Sequence, residues 1–391
     1  MDLQLAGRGR TILIALAAIS AVALFAIVVT AVGVRSAQAA FETTFPPDVS
    51  PGESPAPSVV RAGIAVVPEG GLELWEGPDR EPYFTIHEGV VLPYMHRTDT
   101  GWLLVTTTCN QSAWVREADV QPQEQSANSE SGPGFDISTA TIVLDPGHGD
   151  RDWGGVGPTG LSEKEVNLDI SERVRELMLS GRSVDWDSGA VTAGSDVPAF
   201  GSIILTRDNA GPNEGDFELG LGYRSTVANA AGADAFVSIH NNTVPQFETD
   251  IPGSEVYYAA GVEGSDRLAG LIYEELVSGL SGFNANWRGG DLLGARARLD
   301  PQTGEDYYGI LRRSMVPAVI VEGVYISEPE EEALLATPEF RQAYAEAVYR
   351  GIVRFLTTDE AGSGINDPEM FELDAGTVSG NGCDLPAQPS E

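Results

Sequence analysis

The strongest constraint on this chain comes from two histidines that each follow directly on a short apolar, β-branched run. His148 sits in Leu144-Asp145-Pro146-Gly147-His148-Gly149-Asp150, and His240 closes Ala235-Phe236-Val237-Ser238-Ile239-His240, followed by Asn241 and Asn242. Runs this short and apolar read as buried strands, and an open α/β sheet carries its ligand groups just past the carboxyl ends of its strands. The chain has only four histidines, so two at such positions point to a metal site. Pro146, Gly147 and Gly149 force a tight turn that presents His148 outward, and Asp145 is placed to orient an imidazole. Two carboxylates stand in settings suited to catalysis: Glu163 in GLSEKEVNL and Glu322 in AVIVEG. Two histidines and one glutamate form a zinc set that leaves a fourth position for water, with the remaining glutamate as base. Two imidazoles suit zinc, whereas magnesium would want oxygens. Glu165 competes with Glu163, but the two lie two apart and cannot share one helical face.

Around these groups strand and helix signals alternate. Residues 142–144, 202–206, 235–239, 255–258 and 319–321 read as strands, and residues 165–179, 224–231, 266–280 and 333–355 as helices. This predicts an α/β domain over 137–358, with a mixed, mostly parallel sheet and helices on both faces. Residues 62–120 change to short strand-like runs and predict a small all-β barrel. Its Trp75, Tyr94, Trp102 and Trp114 read as core, because so small a unit needs large apolar side chains. His87 and His96 belong to this separate unit and read as surface residues. Polar residues 121–136 read as a linker, residues 35–61 as a Pro-rich tether, and residues 359–391 as a flexible tail. The connections 180–202 and 288–308 are longer than a turn needs, and one or the other is expected to fold over the cleft as a substrate or regulatory loop, with the sequence not deciding which.

Taken in order and spacing, IVLDPGHGD, GLSEKEVNL, ILTRD, ANAAGADAFVSIHNN, GSEVYY and PAVIVEGVYISEPEEEALL resemble the zinc-dependent N-acetylmuramoyl-L-alanine amidases of the amidase-3 family. The resemblance covers residues 137–356, and it implies the zinc amidase fold with one zinc ion per chain. It assigns His148, Glu163 and His240 as zinc ligands and Glu322 as the catalytic glutamate. The implied substrate is peptidoglycan, cut at the amide between N-acetylmuramic acid and L-alanine, as in wall remodelling or daughter-cell separation. Two departures stand out: Gly323-Val324-Tyr325 replaces the usual Leu-Gly-Phe, and Asn241 replaces a frequent Ala. Asn241, Arg207 and Arg224 are candidate substrate contacts, the two arginines for an anionic group such as a stem-peptide carboxylate, although each reads equally well as a structural ion pair. The stretch from GWLLVTTT to SAWVREADV resembles a bacterial SH3-like domain. Two other readings use the same residues: a non-catalytic wall-binding protein on this fold, and a zinc peptidase cutting within the peptide stem. No motif identifies a regulatory protein.

With 23 basic against 58 acidic residues, a formal charge of -35 argues against nucleic acid or an anionic membrane surface as a partner held by a basic face. Cys109 and Cys383 are too few for a disulfide framework, and either pair with each other or stand as separate thiols. Residues 11–34 carry no charge and are long enough to cross a bilayer core. Arg8 and Arg10 before them place the N-terminus in the cytoplasm and both domains outside. The rival reading, a secretory signal, is supported by Ala37-Gln38-Ala39, but its apolar core would normally be only about 7–15 residues. Full-length protein is therefore expected in the membrane pellet after high-salt washing; a secreted form beginning near Ala40 would show that the segment is cleaved.

Overall fold

The computed structural model describes residues 62–125, 130–149, 152–207, 220–244, 253–283 and 294–371. The expected membrane segment 11–34, the tether and Cys383 lie outside them, while Cys109 is disulfide-bonded. Among the described residues no helix is long and apolar enough to cross a membrane.

Seven strands form the N-terminal unit: β1 (Gly63–Val66), β2 (Leu72–Trp75), β3 (Pro82–Ile86), β4 (Val91–Arg97), β5 (Trp102–Thr106), β6 (Ser112–Arg116) and β7 (Gln121–Glu124). They make one antiparallel sheet in the order β3-β2-β6-β5-β4-β1-β7. Its core holds Ala65, Leu74, Leu92, Tyr94, Leu103 and Val115. Trp75 joins Tyr94 in burial, but Trp102 and Trp114 are only half-buried. Strand β7 corrects the expected linker boundary. Its Gln-Pro-Gln-Glu sequence is polar because it pairs only with β1 at the sheet edge, where a proline without an N–H is tolerated.

The larger sheet has the order β11-β8-β12-β16-β13-β14, from β8 (Thr141–Pro146), β11 (Ser202–Leu205), β12 (Ala235–Asn242), β13 (Glu255–Tyr258), β14 (Gly294–Arg296) and β16 (Ala318–Tyr325). Only the β13–β16 pair is antiparallel, so the predicted mixed, mostly parallel sheet is what forms. Helices α1 (Glu163–Met178), α3 (Ser265–Leu280) and α6 (Pro338–Thr357) cover one face. Val166, Ile170, Leu268, Ile272, Tyr344 and Val348 there pack over Leu144, Val237, Ile239, Val319 and Val321. The opposite face is covered by α2 (Leu221–Ala231) and α4 (Gly309–Arg312), with Tyr223, Val227, Ile310 and Leu311 over Val143, Phe236, Tyr257 and Ile320. Strands buried on both faces explain the near-continuous apolar runs.

Three expectations change. The helix predicted over 333–355 is two helices, α5 (Pro329–Leu335) and α6, because Pro338 starts a new helix with Thr337 Oγ1 accepting from Phe340 N at 3.3 Å, the usual role of a threonine N-cap. The 180–202 connection is a two-stranded hairpin of β9 (Arg182–Asp185) and β10 (Ala190–Ala193), not an open loop. The tail is docked as far as Phe371. Within it, β17 (Glu369–Met370) pairs with β15 (Arg298–Leu299), and Gly362, at φ +74°, lies so close to α3 that a Cβ would stand 2.5 Å from the Gly270 carbonyl carbon. Only glycine permits that approach.

The two units share a core. Ile64 and Val91 of the small sheet sit in the same apolar cluster as Tyr223, Val227 and Phe236. Tyr223 Oη donates to Val91 O at 2.7 Å, and Gly220 N donates to Thr108 O at 2.9 Å. Thermal unfolding monitored by near-UV circular dichroism is therefore expected to show one cooperative transition, with Tyr223→Phe lowering stability by about 1 kcal/mol. Two well-separated transitions would contradict the shared core.

Candidate metal centre

The His148 turn is built to be held from outside. Strand β8 ends at Pro146, Gly147 follows, and His148 takes the left-handed conformation at φ 63°, which costs a non-glycine residue about 1–2 kcal/mol. A side chain on Gly147 would place its Cβ 2.3 Å from the His240 ring, so glycine is what lets the two imidazoles approach. Their ring centroids are 4.8 Å apart. Two guanidiniums grip the carbonyls of the turn. Arg224 donates to Pro146 O at 2.9 Å and His148 O at 2.6 Å, and Arg207 donates to Pro146 O and Gly147 O, both at 2.9 Å.

Beneath the turn lies Asp145, fully buried. The expectation that it orients an imidazole is corrected: its carboxylate accepts from Arg224 Nη1 at 2.6 Å, Ser238 Oγ at 2.6 Å and Thr206 Oγ1. Burial alone would raise its pKa, but the Arg224 guanidinium and the two hydroxyls hold it below the ordinary carboxylate value. The imidazole partner is Asp152, which accepts from His148 Nδ1 at 2.8 Å. Four residues past the histidine in a glycine-rich loop, it carried no periodic signal in the sequence.

Glu163 opens α1 and points back under both histidines. Its Oε2 lies 3.1 Å from His148 Nε2, and its Oε1 lies 3.1 Å from His240 Nδ1. Gly155 N donates to Oε2 at 2.6 Å, and Asn241 N and Asn167 Nδ2 each donate to Oε1 at 3.1 Å. Asn167, one helical turn beyond Glu163, is fully buried and accepts from Asn241 Nδ2 at 2.9 Å. It is therefore a part of the site, a role that nothing in its sequence setting marks. The atoms that His148, Glu163 and His240 offer lie within 4.8 Å of one another. Burial works against a charge on His148, but the carboxylates of Asp152 and Glu163 push its pKa up to about 10.

Glu322 enters from β16. It pairs with His240 across β12 and with Glu255 across β13. Its strand neighbour Val321 faces the helices of the first core cluster, so Glu322 points to the opposite face, where His240 also lies. Burial first, then the negative charge of Glu163, raise its pKa well above the usual carboxylate value. Among the described residues its buried Oε2 has no hydrogen-bond partner. Arg224 is buried and committed to Asp145 and the turn, and Arg207 to the carbonyls of Pro146, Gly147 and Lys164. Both therefore support the backbone of the site, and Arg224 forms the structural ion pair that was one of its two sequence readings. Asn241 is buried against Glu163 and Asn167, which makes it a support of the glutamate.

Residues 142–354 match the family model for N-acetylmuramoyl-L-alanine amidases. N-acetylmuramoyl-L-alanine amidase LytC of Bacillus subtilis is 32% identical over 217 residues, covering 55% of this chain and 35% of LytC. The germination-specific N-acetylmuramoyl-L-alanine amidase of Bacillus subtilis is 26% identical over 228 residues, covering 56% of this chain and 81% of that protein. N-acetylmuramoyl-L-alanine amidase AmiA of Escherichia coli is 29% identical over 245 residues, covering 55% of this chain and 75% of that protein. The chain thus spans about a third of the length of LytC. The family match takes in His148, Glu163, His240 and Glu322 and stops short of the small β unit.

Replacing Asp145 with Ala leaves the Arg224 charge buried without its partner and is expected to destabilise the fold by about 3–5 kcal/mol. Denaturant titration measures this, and a loss below about 1 kcal/mol would show that the carboxylate is not what anchors the turn.

Proposed function

The chain belongs to the N-acetylmuramoyl-L-alanine amidase family, and from that we propose that it hydrolyses the amide between the lactyl group of N-acetylmuramic acid and L-alanine in peptidoglycan, using one zinc ion held by His148, Glu163 and His240. The observation that carries this reading is the convergence of the two imidazoles on one carboxylate, with Glu322 beside His240 in strand register. The donors fit the ion. At zinc–ligand distances of about 2.0–2.2 Å, ligand atoms at tetrahedral corners stand about 3.3–3.6 Å apart; one Glu163 oxygen stands 3.1 Å from His148 Nε2 and the other 3.1 Å from His240 Nδ1, and one ligand atom from each of the three residues lies within 4.8 Å of the others.

When bound, zinc supplies Lewis acidity to a water molecule and to the scissile carbonyl. The remaining work falls to side chains. Asp152 fixes the His148 ring through Nδ1, leaving Nε2 for the ion,. Asn167 and the backbone N–H groups of Gly155 and Asn241 hold the Glu163 carboxylate. The Glu322 carboxylate takes the proton of the attacking water and then delivers it to the departing amine of L-alanine, which leaves as a protonated group. Its raised proton affinity and unpartnered Oε2 suit that double task.

In this reading residues 11–34 tether the enzyme to the membrane with the catalytic domain outside the cytoplasm, or are removed to release it. The small β unit is an SH3-like module that associates with the wall. Its packing on α2 makes it a fixed companion of the catalytic domain.

The roles of the two glutamates separate by metal content. His148→Ala, Glu163→Ala and His240→Ala are each expected to lose zinc and activity together. Glu322→Gln keeps the ion and substrate binding while its turnover falls by roughly 10²- to 10⁴-fold. Metal analysis alongside muropeptide hydrolysis checks this; if Glu322→Gln lost its zinc while Glu163→Gln kept it, the two assignments would be exchanged.

A further inference from the structure

We infer that Trp153 is a stacking plate for the sugar ring of the substrate, a glycan subsite at the rim of the metal centre; this rests on the amidase reading above. Trp153 is 54% exposed and Val156 on the same loop 53%, a pair of large apolar side chains left in water beside a reaction centre. The described residues on either side of Trp153 are held firmly. Asp152, on one side of Trp153, holds His148 Nδ1. Gly154, on the other, packs so tightly that a Cβ there would stand 2.5 Å from both Glu163 Oε2 and His148 Cδ2. Trp153 O accepts from Lys164 N at 3.2 Å, and Glu163 N donates to Gly155 O at 2.9 Å. The indole is therefore fixed one peptide unit away from the site on either side.

An indole has two faces. Lys164 Nζ lies 3.6 Å from the ring centroid, a cation–π contact that occupies one of them and orients the plate. The exposure of the residue leaves the other face for a ligand. A pyranose ring presents a flat patch of C–H groups whose partial positive charge complements the negative face of an aromatic ring. The chemistry of the substrate places such a ring here, because the scissile carbonyl is joined to the muramic ring by only the short lactyl ether. With that carbonyl beside His148, Glu163 and His240, the sugar must rest on the rim of the site.

The test compares two soluble substrates, a disaccharide-peptide from digested wall and the corresponding lactyl-peptide without sugar. Trp153→Ala is expected to raise KM for the disaccharide-peptide by about tenfold, the order of one aromatic stacking contact. Its kcat should stay within about twofold and zinc at one ion per chain, with KM for the lactyl-peptide unchanged and Trp153→Tyr restoring most of the loss. Parallel loss of zinc and kcat would make the residue structural, and an equal rise in KM on both substrates would place the contact on the peptide; either result overturns the inference. Binding of the disaccharide fragment to Glu322→Gln, with and without Trp153→Ala, is measured by calorimetry. An unchanged affinity there would show that the indole serves another occupant, such as a protein partner. If the wild-type enzyme cleaved neither substrate, the amidase reading would fail, and the calorimetric comparison would still decide whether Trp153 holds sugar.

Discussion

The ion pair between Asp145 and Arg224 is the interaction on which the catalytic architecture depends. A carboxylate with no accessible surface is tolerated when it is paired with a charge and hydrogen-bonded. Here those contacts come from Arg224 on α2, Ser238 on β12 and Thr206 just past β11. One side chain thus binds three elements to the end of β8. The same guanidinium reaches on to the carbonyls of Pro146 and His148, so the charge that neutralises Asp145 also holds His148 in a backbone conformation it would not choose by itself,.

From that anchor the site extends along one face of the sheet. His240, Glu322 and Glu255 stand side by side in register on β12, β16 and β13. Glu255 is relieved by Arg296 at 3.3 Å and by the hydroxyls of Tyr257 and Tyr325 at 3.1 and 2.9 Å. Among the described residues Glu322 has no such relief for one of its oxygens. Two carboxylates that are neighbours in the same sheet thereby acquire opposite characters: one is a satisfied structural acid, the other an acid whose proton affinity is raised.

The strands and both histidines were legible because burial on two faces writes itself as unbroken apolar runs, as in Ala235-Phe236-Val237, and the two histidines follow at their ends. The supports were not. Asp152 and Asn167 reach the site from a glycine-rich loop and from one turn into a helix, where polar residues are also common at surfaces, and nothing in spacing alone separates the two cases. Strand β7 was hidden by its polarity, a property of edge position. The docking of residues 362–371 depends on Gly362 and Gly364 lying against Gly270 and Tyr273, and a segment rich in glycine, serine and asparagine reads as loose whether or not a surface awaits it. The join between the two units was equally silent, since Tyr223 carries no mark that its hydroxyl will meet Val91.

Parallel pairing has a consequence for the order in which this molecule can come together. Strand β12 lies between β8 and β16, strands that precede and follow it in the chain, and parallel neighbours cannot be joined by a tight turn. A nascent chain therefore holds His148 and Glu163 long before His240 exists beside them, and closing that long loop is among the slow, costly steps of folding. Until then no fragment has more than part of the donor set. Capture of an ion by this set would thus be a late event, reserved for a nearly finished sheet, and the compartment in which the chain completes its folding would decide which metal it meets.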